Sequence, residues 1–581
     1  MKNLYILITL LLFSSFAFSQ TNLLVTNPEA DAIIKGNYDA ADYLPSTLLN
    51  HPGDAIMALV DEVSPDSLKS YLEVLASFGN RNTGSDTTSN TFGMGAARRW
   101  AFAKFEAFSA QNENRLITSY FQFDQDVCDM SQHRNVMTVL PGIGPQKDQI
   151  IIVEAHMDSR CEDGCDIDCQ AEGMEDNGSG TALVLELARV MGQLAFNRTI
   201  VFMETTGEEQ GLVGANAFAE YCEQEGIDIY AVFNNDIIGG VICGETASPP
   251  GCPGLNDVDS LNVRIYSSGT NQSIHKGLAR FTKLEYAENI LPITTVPSVI
   301  NIMTPLDRTG RGGDHIPFHT RGYAAVRFTS ANEHGNGNPS TPDYHDRQHS
   351  MEDILGLDTD GDNILDSFFV DFNYLSRNAI INGNAMSMAA LGPITPSNVM
   401  AEDVDIGIQL SFEDEQDYGV YRVGLRGFNT NDFDTLITVN ETDLLLEDLP
   451  TGAYYISVCS VDSNGIESLF AREELVIFTT GTEEFENPDK GITLLQNYPN
   501  PFDEATVIGV QVMRPVSYKR AEIVVHNLDG KELVRSPISL NIGMNEVMYD
   551  YFSHQYQPGT YAYSLVIDGE VFETKRMIYA Y

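Results

Sequence analysis

Basic residues are scarce in this chain of 581 residues. Only 34 lysines and arginines stand against 82 aspartates and glutamates, and the formal net charge is −48. Nucleic acids and anionic membrane surfaces are bound through basic patches, so a balance this acidic excludes both as partners. It fits a soluble protein in a salty or extracellular setting. The length allows about three or four domains of roughly 150 residues each.

Long apolar runs are absent after the first twenty residues, since no later stretch reaches the roughly 18 apolar residues of a membrane-spanning helix. The chain begins with Lys2, an apolar segment and the triplet "AFS" before Gln20. This pattern is typical of a cleaved secretory signal, and its apolar core is too short for a comfortable membrane span. We therefore predict a signal peptide at residues 1–19, a secreted or cell-surface protein, and no transmembrane segment.

Cysteines number only eight, and an exported chain can pair them in disulfides. Three of them fall in one acidic loop, and two others flank a turn rich in proline and glycine. This placement indicates loop staples. A zinc knot is disfavoured because the cysteines lie among acids and lack paired CxxC spacing. The eight are Cys128, Cys161, Cys165, Cys169, Cys222, Cys243, Cys252 and Cys459.

Strand and helix patterns alternate from about residue 56 to residue 391. Segments such as "QIIIVEAH" and "TIVFMETT" resemble buried strands, and "SGTALVLELARVMGQL" has a helical period. The last helix is expected to run through roughly 365–391. This alternation predicts an α/β domain whose mostly parallel sheet is covered by helices on both faces. Residues 20–55 are polar and irregular, and they are a candidate pro-segment.

The composition changes at about residue 395, where the chain begins to alternate in period two with closely spaced turns. The segment "LEDLPTGAYYISVCSVDSNGIES" places Leu449 six residues before Tyr455. It resembles a fibronectin type III sandwich, and the resemblance implies that Tyr455 forms the tyrosine corner. An unrelated small β-domain is the alternative. We expect this domain at residues 395–480 and a linker at residues 481–491.

The tail, residues 492–581, would by its pattern alone be only a short all-β module. It contains "NYPNPF", "LDGKEL" and "PGTYAYSL". With these motifs the tail resembles the type A C-terminal sorting domain of the type IX secretion system of Bacteroidetes. The resemblance implies that the tail contacts the secretion machinery.

Side chains suited to metal binding recur at the predicted strand ends of the α/β region. Such ends gather at one edge of a parallel sheet, where ligands bind. Zinc accepts imidazole nitrogen and carboxylate oxygen, and paired hydrolytic zinc sites need a bridging carboxylate. The inventory therefore predicts two zinc ions. Its members are His156, Asp158, Asp176, Glu208, Glu209, Asp236, His345 and His349.

The adjacent acids in "TTGEEQG" have a role in such a site. Two neighbouring carboxylates repel each other, and burial raises that cost. With metals present, one glutamate can ligate while the other takes a proton from the attacking water. Each motif alone is weak, because Asp176 could merely cap a helix and Asp158 could be a solvated loop acid.

Taken in order, these motifs resemble the co-catalytic zinc aminopeptidases that include bacterial leucyl aminopeptidase and the Streptomyces enzyme. The motifs are His156-x-Asp158, Asp176-Asn-Gly-Ser-Gly, Glu208-Glu209-x-Gly-x-x-Gly, Asp236 and His349. The match covers roughly residues 60–391, and it implies a secreted di-zinc aminopeptidase acting on peptides, with its catalytic domain at residues 56–391.

The resemblance also implies a role for each matched residue. His156 and Asp236 would bind one zinc, Glu209 and His349 the other, and Asp176 would bridge them. Glu208 resembles the general base, and Asp158 resembles the acid that orients the first histidine. "GGDHIPFHTRG" resembles the family's Asp-His segment and places Asp314 and His315 near the site. The last ligand remains open between His349, whose spacing to Asp353 fits the family, and His345.

A second, all-oxygen motif follows in "LDTDGDNILDSFF". It spaces Asp358, Asp360, Asp362 and Asp366 around a glycine turn, and it resembles the calcium repeats of thrombospondin type 3. A solvated acidic loop is the alternative.

Three rival functions remain. A metallocarboxypeptidase of the same superfamily would carry a lid domain before the last histidine, and the interval from Asp236 to His349 leaves little room for one. A glutaminyl cyclase relative would normally lack the first histidine ligand. A surface-binding protein with an inactive enzyme domain would not need the complete ligand set.

Overall fold

The computed structural model describes residues 20–244, 250–268, 272–308, 311–332, 347–404, 406–427, 430–450, 452–478, 491–502, 505–527, 530–550 and 557–580. The predicted signal peptide, His345 and all but the last residue of the predicted linker lie outside these residues. None of the helices in the described ranges combines the length and apolarity of a membrane span.

A nine-stranded sheet forms the centre of the first domain, in the order β1-β2-β3-β5-β4-β6-β9-β7-β8. Strands β5, β4, β6 and β9 are parallel neighbours, as are β7 and β8, whereas the other pairings are antiparallel. The α/β fold class is confirmed, but the sheet is mixed rather than mostly parallel as expected, because the pairings of β1–β2, β2–β3, β3–β5 and β7–β9 are antiparallel. The strands are Thr21–Val25, Ile117–Val127, Met130–Leu140, Gln149–His156, Thr199–Thr205, Asp228–Asn235, Asn262–Tyr266, Val299–Ile302 and Ala325–Ser330, named β1 to β9 in chain order.

Helices cover both faces of this sheet. The apolar side chains of α2, α3, α4, α5, α7 and α9 pack on one face, and those of α1, α6 and α8 on the other. The last helix begins at Phe372, later than expected, because Asp371 caps it and residues 367–368 pair with residues 356–357 instead. The helices are Pro28–Ile34, Pro52–Glu62, Pro65–Ala76, Gly93–Gln111, Ser179–Met191, Val213–Glu225, Ile274–Glu285, His315–Thr320 and Phe372–Leu391, named α1 to α9.

Residues 20–55 are folded into the domain, so the expectation that they are irregular is wrong. Strand β1 pairs with β2 at the edge of the large sheet. On α1, Ala30, Ile33 and Ile34 are fully buried. The segment is polar in composition, but Val25, Ala30, Ile33 and Ile34 are buried in one apolar core, which an average over the segment hides.

Three disulfides staple loops of this domain. They join Cys128 to Cys165, Cys161 to Cys169, and Cys243 to Cys252. The first fixes the loop that follows β4 against the β2–β3 hairpin, and the second closes that loop on itself. Cys222 and Cys459 are buried thiols.

Two small β-sandwiches follow, and they share one strand arrangement. Each packs a three-stranded antiparallel sheet on a four-stranded one around a single apolar core. Before the sandwiches, two strands of two residues each, β10 (Gly356–Leu357) and β11 (Ser367–Phe368), pair with each other. The first sandwich has β12 to β18: Ser397–Asp403, Gly407–Glu413, Tyr421–Gly427, Thr435–Val439, Asp443–Glu447, Gly452–Ser460 and Glu474–Phe478. The second has β19 to β25: Ile492–Leu494, Ala505–Val512, Ala521–Asn527, Glu532–Pro537, Gly543–Asp550, Gly559–Ile567 and Glu570–Tyr579.

In the first sandwich, the tyrosine-corner contact is made by Tyr454, one residue before the predicted Tyr455. The Tyr454 hydroxyl donates to the backbone carbonyl of Pro450 at 2.7 Å, which is the contact of a tyrosine corner. Tyr455 instead points to the second sandwich and donates to Glu546 at 2.8 Å. Successive strand residues face opposite sides, so this shift reverses the assignment of the two rings.

The first sandwich is fixed to the α/β domain by buried charges. Glu473 accepts from Arg426 on its own sandwich at 2.7 Å. It also lies 3.0 Å from the guanidinium of Arg280 on α7, and all three side chains are buried. A buried carboxylate with two guanidinium partners holds the two domains together by charge as well as by packing.

Candidate metal centre

Three neighbouring parallel strands deliver the first set of candidate ligands. His156 ends β4, Asp236 directly follows β6, and the pair Glu208 and Glu209 lies in the turn after β5. Because the order is β5-β4-β6, their carboxyl ends lie side by side at one edge of the sheet. The alternation of buried strands and polar tips in the sequence therefore brings these four side chains together.

Asp176 enters from the tight turn Met174–Gly178 that precedes α5. The first turn of α5, directly after it, packs against the end of β6, because a Cβ on Gly180 would lie 2.3 Å from the backbone oxygen of Asn235. Only glycine permits this approach. The peptide bond between Asp176 and Asn177 is cis. The position of the turn places the Asp176 carboxylate between two groups of ligands.

The first group is His156, Asp176 and Asp236. The Nε2 atom of His156 lies 3.1 Å from Oδ1 of Asp176 and 3.6 Å from Oδ1 of Asp236. All three side chains are buried. One nitrogen and two oxygens within 4.8 Å of one another suit a zinc ion.

The second group is Asp176, Glu209 and His349. The Nε2 atom of His349 lies 3.0 Å from Oδ2 of Asp176 and 3.2 Å from Oε2 of Glu209. The two oxygens of Asp176 thus face different histidines, as a bridging carboxylate would. Of the two candidate histidines, His349 lies in this group, and His345 is outside the described residues.

Asp158 holds the turn that carries the two glutamates. Its carboxylate accepts from the backbone N–H groups of Glu208 and Glu209 at 3.3 and 3.2 Å, and from the Thr83 hydroxyl at 3.3 Å. For His156 Nδ1, the backbone oxygen of Asp158 at 3.0 Å is nearer than the carboxylate at 3.7 Å. The backbone of Asp158, more than its side chain, therefore sets the orientation of the first histidine.

Glu208 is partly buried and faces the same centre. Burial raises the pKa of Glu208 well above its usual range, His156 opposes the rise, and Asp236 and Glu209 add to it. A buried carboxyl group in such surroundings holds a proton more readily than an exposed one.

Asp314 and His315 lie in the layer beneath the centre, at the start of α8. The Thr205 hydroxyl donates to Asp314, and burial raises the pKa of Asp314 to about 7. His315 turns away, because its Nε2 lies 3.0 Å from the backbone oxygen of Leu306. Neither residue belongs to a group of candidate ligands among the described residues.

The chemistry of these groups fits bound cations. Nε2 of His156 and Oε1 of Glu209 are buried without a hydrogen-bond partner. Buried polar atoms are almost always satisfied, so each such atom needs an explanation. Carboxylates this close repel each other unless a positive charge lies between them. Two ions sharing Asp176 would satisfy both requirements.

Several residues of the site were not identified in the sequence. Asp353 accepts from the backbone N–H groups of Glu175 and Asp176, both at 2.9 Å, and so holds the bridging turn. Gln348 donates to Oδ2 of Asp176 at 2.8 Å. Nη2 of Arg160 and Nη1 of Arg311 lie 2.9 and 3.2 Å from Nδ1 of His349. For Asp353, Gln348 and Arg160, nearness to His349 or His156 in the chain was the one available signal, whereas Arg311 lies 38 residues before His349 and gave none.

The Asp-rich loop forms a separate cluster at the surface. Oxygens of Asp358, Asp360 and Asp366 lie within 4.8 Å of one another, and Asp362 is not part of the group. All three side chains are exposed. Backbone N–H groups already donate to Asp358 from Gly361 and Asn363 at 2.6 and 2.7 Å.

Known proteins are similar to this chain over its α/β domain. Residues 135–361 match the sequence model of peptidase family M28. A protein of Leptosphaeria maculans described as a probable zinc metalloprotease is 31% identical over 360 residues, which span 60% of this chain and 79% of that protein. One of Pyricularia oryzae with the same description is 31% identical over 366 residues, spanning 60% of this chain and 69% of that protein.

Two solved structures are similar to this chain at lower identity. The LapA aminopeptidase of Legionella pneumophila is 20% identical with a TM-score of 0.41, covering 60% of this chain and 78% of LapA. LapB of the same organism is 18% identical with a TM-score of 0.43, covering 60% of this chain and 78% of LapB.

Proposed function

Since the chain belongs to peptidase family M28, and is therefore a hydrolase of the zinc metalloprotease type, we propose that it is a two-zinc aminopeptidase that releases N-terminal residues from peptides. The observation that carries the proposal is the shared position of Asp176. Its two oxygens face two histidines that lie far apart in the sequence, His156 and His349. A single-ion site would need only one of these groups.

Five side chains would hold the ions in this proposal. His156 and Asp236 serve one, Glu209 and His349 serve the other, and Asp176 serves both. When bound, zinc supplies Lewis acidity to the scissile carbonyl and to the attacking water. Everything else in the reaction falls to the chain's own groups.

Glu208 is the proposed general base. It takes a proton from the attacking water and returns it to the leaving amine, which is the exchange expected of a carboxyl group with a raised pKa. Asp158 keeps Glu208 in place through the backbone N–H contacts of the turn. Asp353 keeps Asp176 in place by accepting from its backbone N–H, and Gln348 does so by donating its side-chain amide to the Asp176 carboxylate.

Two rivals within the superfamily are less well supported. The interval from Asp236 to His349 contains β7, α7, β8, α8 and β9 of the large sheet and its cover, which leaves little room for a carboxypeptidase lid domain. A glutaminyl cyclase relative would normally lack a histidine at position 156. Hydrolysis of a panel of aminoacyl-nitroanilides with and without a zinc chelator tests the proposal. A chain that cleaves none of them would refute it.

The chain is further proposed to be exported and sorted. Gln20, the first residue after the predicted signal, is 5% exposed. Its side chain donates to Gln125 and Val213 and accepts from Asn216. Cleavage before Gln20 would leave these contacts intact, whereas removal of residues 20–55 would strip β1 and α1 from the core. We therefore expect residues 20–55 to be retained.

The two sandwiches are proposed to be a fibronectin type III-like domain and a secretion sorting domain. Intact-mass analysis of protein collected outside the cell tests this assignment together with the signal peptide. The expected chain begins at Gln20 and lacks the tail from about residue 492. A secreted chain that retains residues 1–19 and the tail would refute it. Calcium at Asp358, Asp360 and Asp366, with Asp362 on the same loop, is a further proposal, and its role would be structural.

A further inference from the structure

Arg81 is a fully buried arginine in the loop between α3 and α4. A guanidinium has five N–H donors and no acceptor. Buried polar groups are almost always hydrogen-bonded, so a buried guanidinium needs several oxygens around it. Arg81 is not a candidate ligand and takes no part in the proposed proton transfer. Its partners therefore indicate what the side chain does at this position.

All three nitrogens of the Arg81 guanidinium donate to backbone oxygens. Nε donates to Met157 at 2.8 Å, Nη2 donates to Gly173 at 2.9 Å, and Nη1 donates to Glu172. Met157 directly follows the first candidate histidine ligand, and Gly173 lies three residues before the bridging aspartate. One side chain therefore joins the segment after β4 to the segment that leads into the bridging turn.

These two segments also contact each other directly, at Ser159 and Gly173. Gly173 has a φ of +54°, and a Cβ there would lie 2.4 Å from the Cβ of Ser159, so only glycine allows the approach. The Ser159 hydroxyl accepts from the backbone N–H of Arg81 at 3.2 Å and donates to the backbone oxygen of Ala171 at 2.7 Å. The backbone and the side chain of Arg81 thus both belong to this junction.

The charge of Arg81 also suits its position. Burial lowers the pKa of Arg81 to about 10, and the carboxylates of Asp353 and Asp158 oppose the fall. The side chain therefore stays positive at neutral pH. Asp353 holds the bridging turn, and Asp158 holds the turn with the two glutamates. One fixed cation thus attracts the acids that hold both ligand-bearing turns.

From these contacts we propose that Arg81 is a positioning residue, which sets the separation of the first histidine ligand and the bridging aspartate and thereby the zinc affinity of the site they share. Ligands already held at the right distance bind more tightly, because rearrangement on binding costs free energy. Groups that orient ligands in this way typically change metal affinity or activity by roughly 10- to 100-fold. The inference rests on the proposed zinc centre and not on which peptides are cleaved.

Arg81→Lys tests this role, because lysine keeps the charge but replaces the planar fork with a single ammonium. We expect the affinity for at least one zinc ion, measured by competition with a chelator, to fall roughly 10- to 100-fold. At saturating zinc, kcat on leucyl-nitroanilide should fall while KM changes little. The lost contact orders the ligands and does not itself bind peptide.

Arg198→Lys is the matched control. Arg198 is also fully buried, and its guanidinium donates to the backbone oxygens of Ala389, Gly392 and Pro393. It directly precedes β5, at the end of the strand away from the metal centre. Both lysine variants should lower Tm, since each leaves buried oxygens without a donor. Only Arg81→Lys should change zinc affinity and kcat.

A milder pair of variants keeps the test decisive if Arg81→Lys does not fold. Ser159→Ala removes the hydroxyl of the junction and should lower zinc affinity roughly 3- to 10-fold, the size of one lost hydrogen bond. Ser468→Ala is its control, because this buried hydroxyl makes the same two kinds of contact in the first sandwich. It accepts from the backbone N–H of Ser460 at 3.1 Å and donates to the backbone oxygen of Leu469 at 2.8 Å. Zinc affinity should not change in Ser468→Ala.

The outcomes separate this inference from the proposed function. If the wild type binds two zinc ions but cleaves no aminoacyl-nitroanilide, the aminopeptidase proposal fails, and zinc affinity still decides the role of Arg81. Unchanged zinc affinity in both Arg81→Lys and Ser159→Ala would overturn the inference. A loss of zinc affinity in Arg198→Lys equal to that in Arg81→Lys would overturn it as well, because the effect would then follow from stability alone.

Discussion

In the part of the chain that the structure describes, two clusters of acidic side chains have the spacing of a metal site, and they differ in how their charges are satisfied. Asp176, Glu209 and Asp236 are 3–4% exposed, and they share two imidazoles. Asp358, Asp360 and Asp366 are exposed, and backbone N–H groups and water can satisfy them. The hydrogen bonds from Asn363 and Gly361 hold the pKa of Asp358 below its usual range without any cation.

Proximity of carboxylates alone therefore does not require an ion. Water and backbone donors stabilise exposed carboxylates at little cost, whereas a buried, unpaired charge costs many kcal/mol. The buried cluster therefore needs a positive charge to be stable, whereas the exposed loop is stable without a cation and could still bind one. A third carboxylate, Glu473, shows the remaining solution, because the chain itself supplies the cations through Arg280 and Arg426.

The largest effect should follow from removing a ligand of the buried cluster. His349→Ala should lower zinc to about one ion per chain. Turnover should fall roughly 10²- to 10⁴-fold, because a catalytic ion supplies several kcal/mol of charge stabilisation. His345→Ala is the matched control and should keep both ions. Atomic emission and turnover on one nitroanilide measure the result, and loss of one ion from His345→Ala alone would reverse the assignment.

Glu473 is the buried carboxylate whose positive partners are two arginines of the chain, and removing its charge tests how much those ion pairs stabilise the protein. Glu473→Gln should destabilise the protein by about 3–5 kcal/mol, because it leaves two buried guanidiniums without their carboxylate. Thermal unfolding measures the loss. The control is Glu532→Gln, whose partner Arg535 is exposed, and its Tm should stay near the wild-type value. Equal Tm values for the two variants would show that burial does not decide the cost.

A smaller effect on zinc binding and activity is expected from a residue that contacts the ligand-bearing turn without being a ligand itself. Asp353→Asn should weaken zinc binding or lower activity by roughly 10- to 100-fold, since Asp353 holds the turn that carries Asp176. Asp371→Asn is the comparison, because it also caps a backbone N–H, that of Tyr374, but at α9. Zinc affinity measured by competition with a chelator should change only in the first variant. A zinc affinity unchanged in both would remove Asp353 from the site.

The smallest effect is expected at the exposed loop. Saturating calcium should raise Tm by roughly 2–6 °C through mass action, without altering turnover. Asp358→Asn should abolish the shift, whereas Glu447→Gln, an exposed acid on β16, should retain it. If calcium leaves the Tm of the wild type unchanged, the loop is a solvated acidic turn.

The same contrast explains what the sequence could predict. The buried ligands were found because each follows a strand whose apolar run is unmistakable, and parallel strands align their ends. His349 was identified by its spacing to Asp353, although the reason for that spacing, a contact with the Asp176 turn, needed the structure. Asp362 was grouped with the other loop acids because spacing in sequence does not fix the direction of an exposed side chain.

Long-range pairing was less accessible. Alternating strands and helices predicted the α/β fold, but nothing local indicates that β3 pairs antiparallel with β5 or that β7 lies antiparallel to β9. The same holds for β1, whose partner β2 lies about ninety residues away in the chain. Arg160 and Arg311 come together only through the fold, so their joint contact with His349 left no pattern in the sequence.

The most direct test of the account separates the adjacent glutamates of the buried cluster. Glu209 is the proposed ligand and Glu208 the proposed base. Zinc content and turnover should therefore respond differently in their two alanine variants. Glu208→Ala should keep close to two zinc ions and lose turnover roughly 10²- to 10⁴-fold, the contribution of acid–base catalysis. Glu209→Ala should lose one ion. Two ions in Glu209→Ala with metal loss in Glu208→Ala would contradict the account.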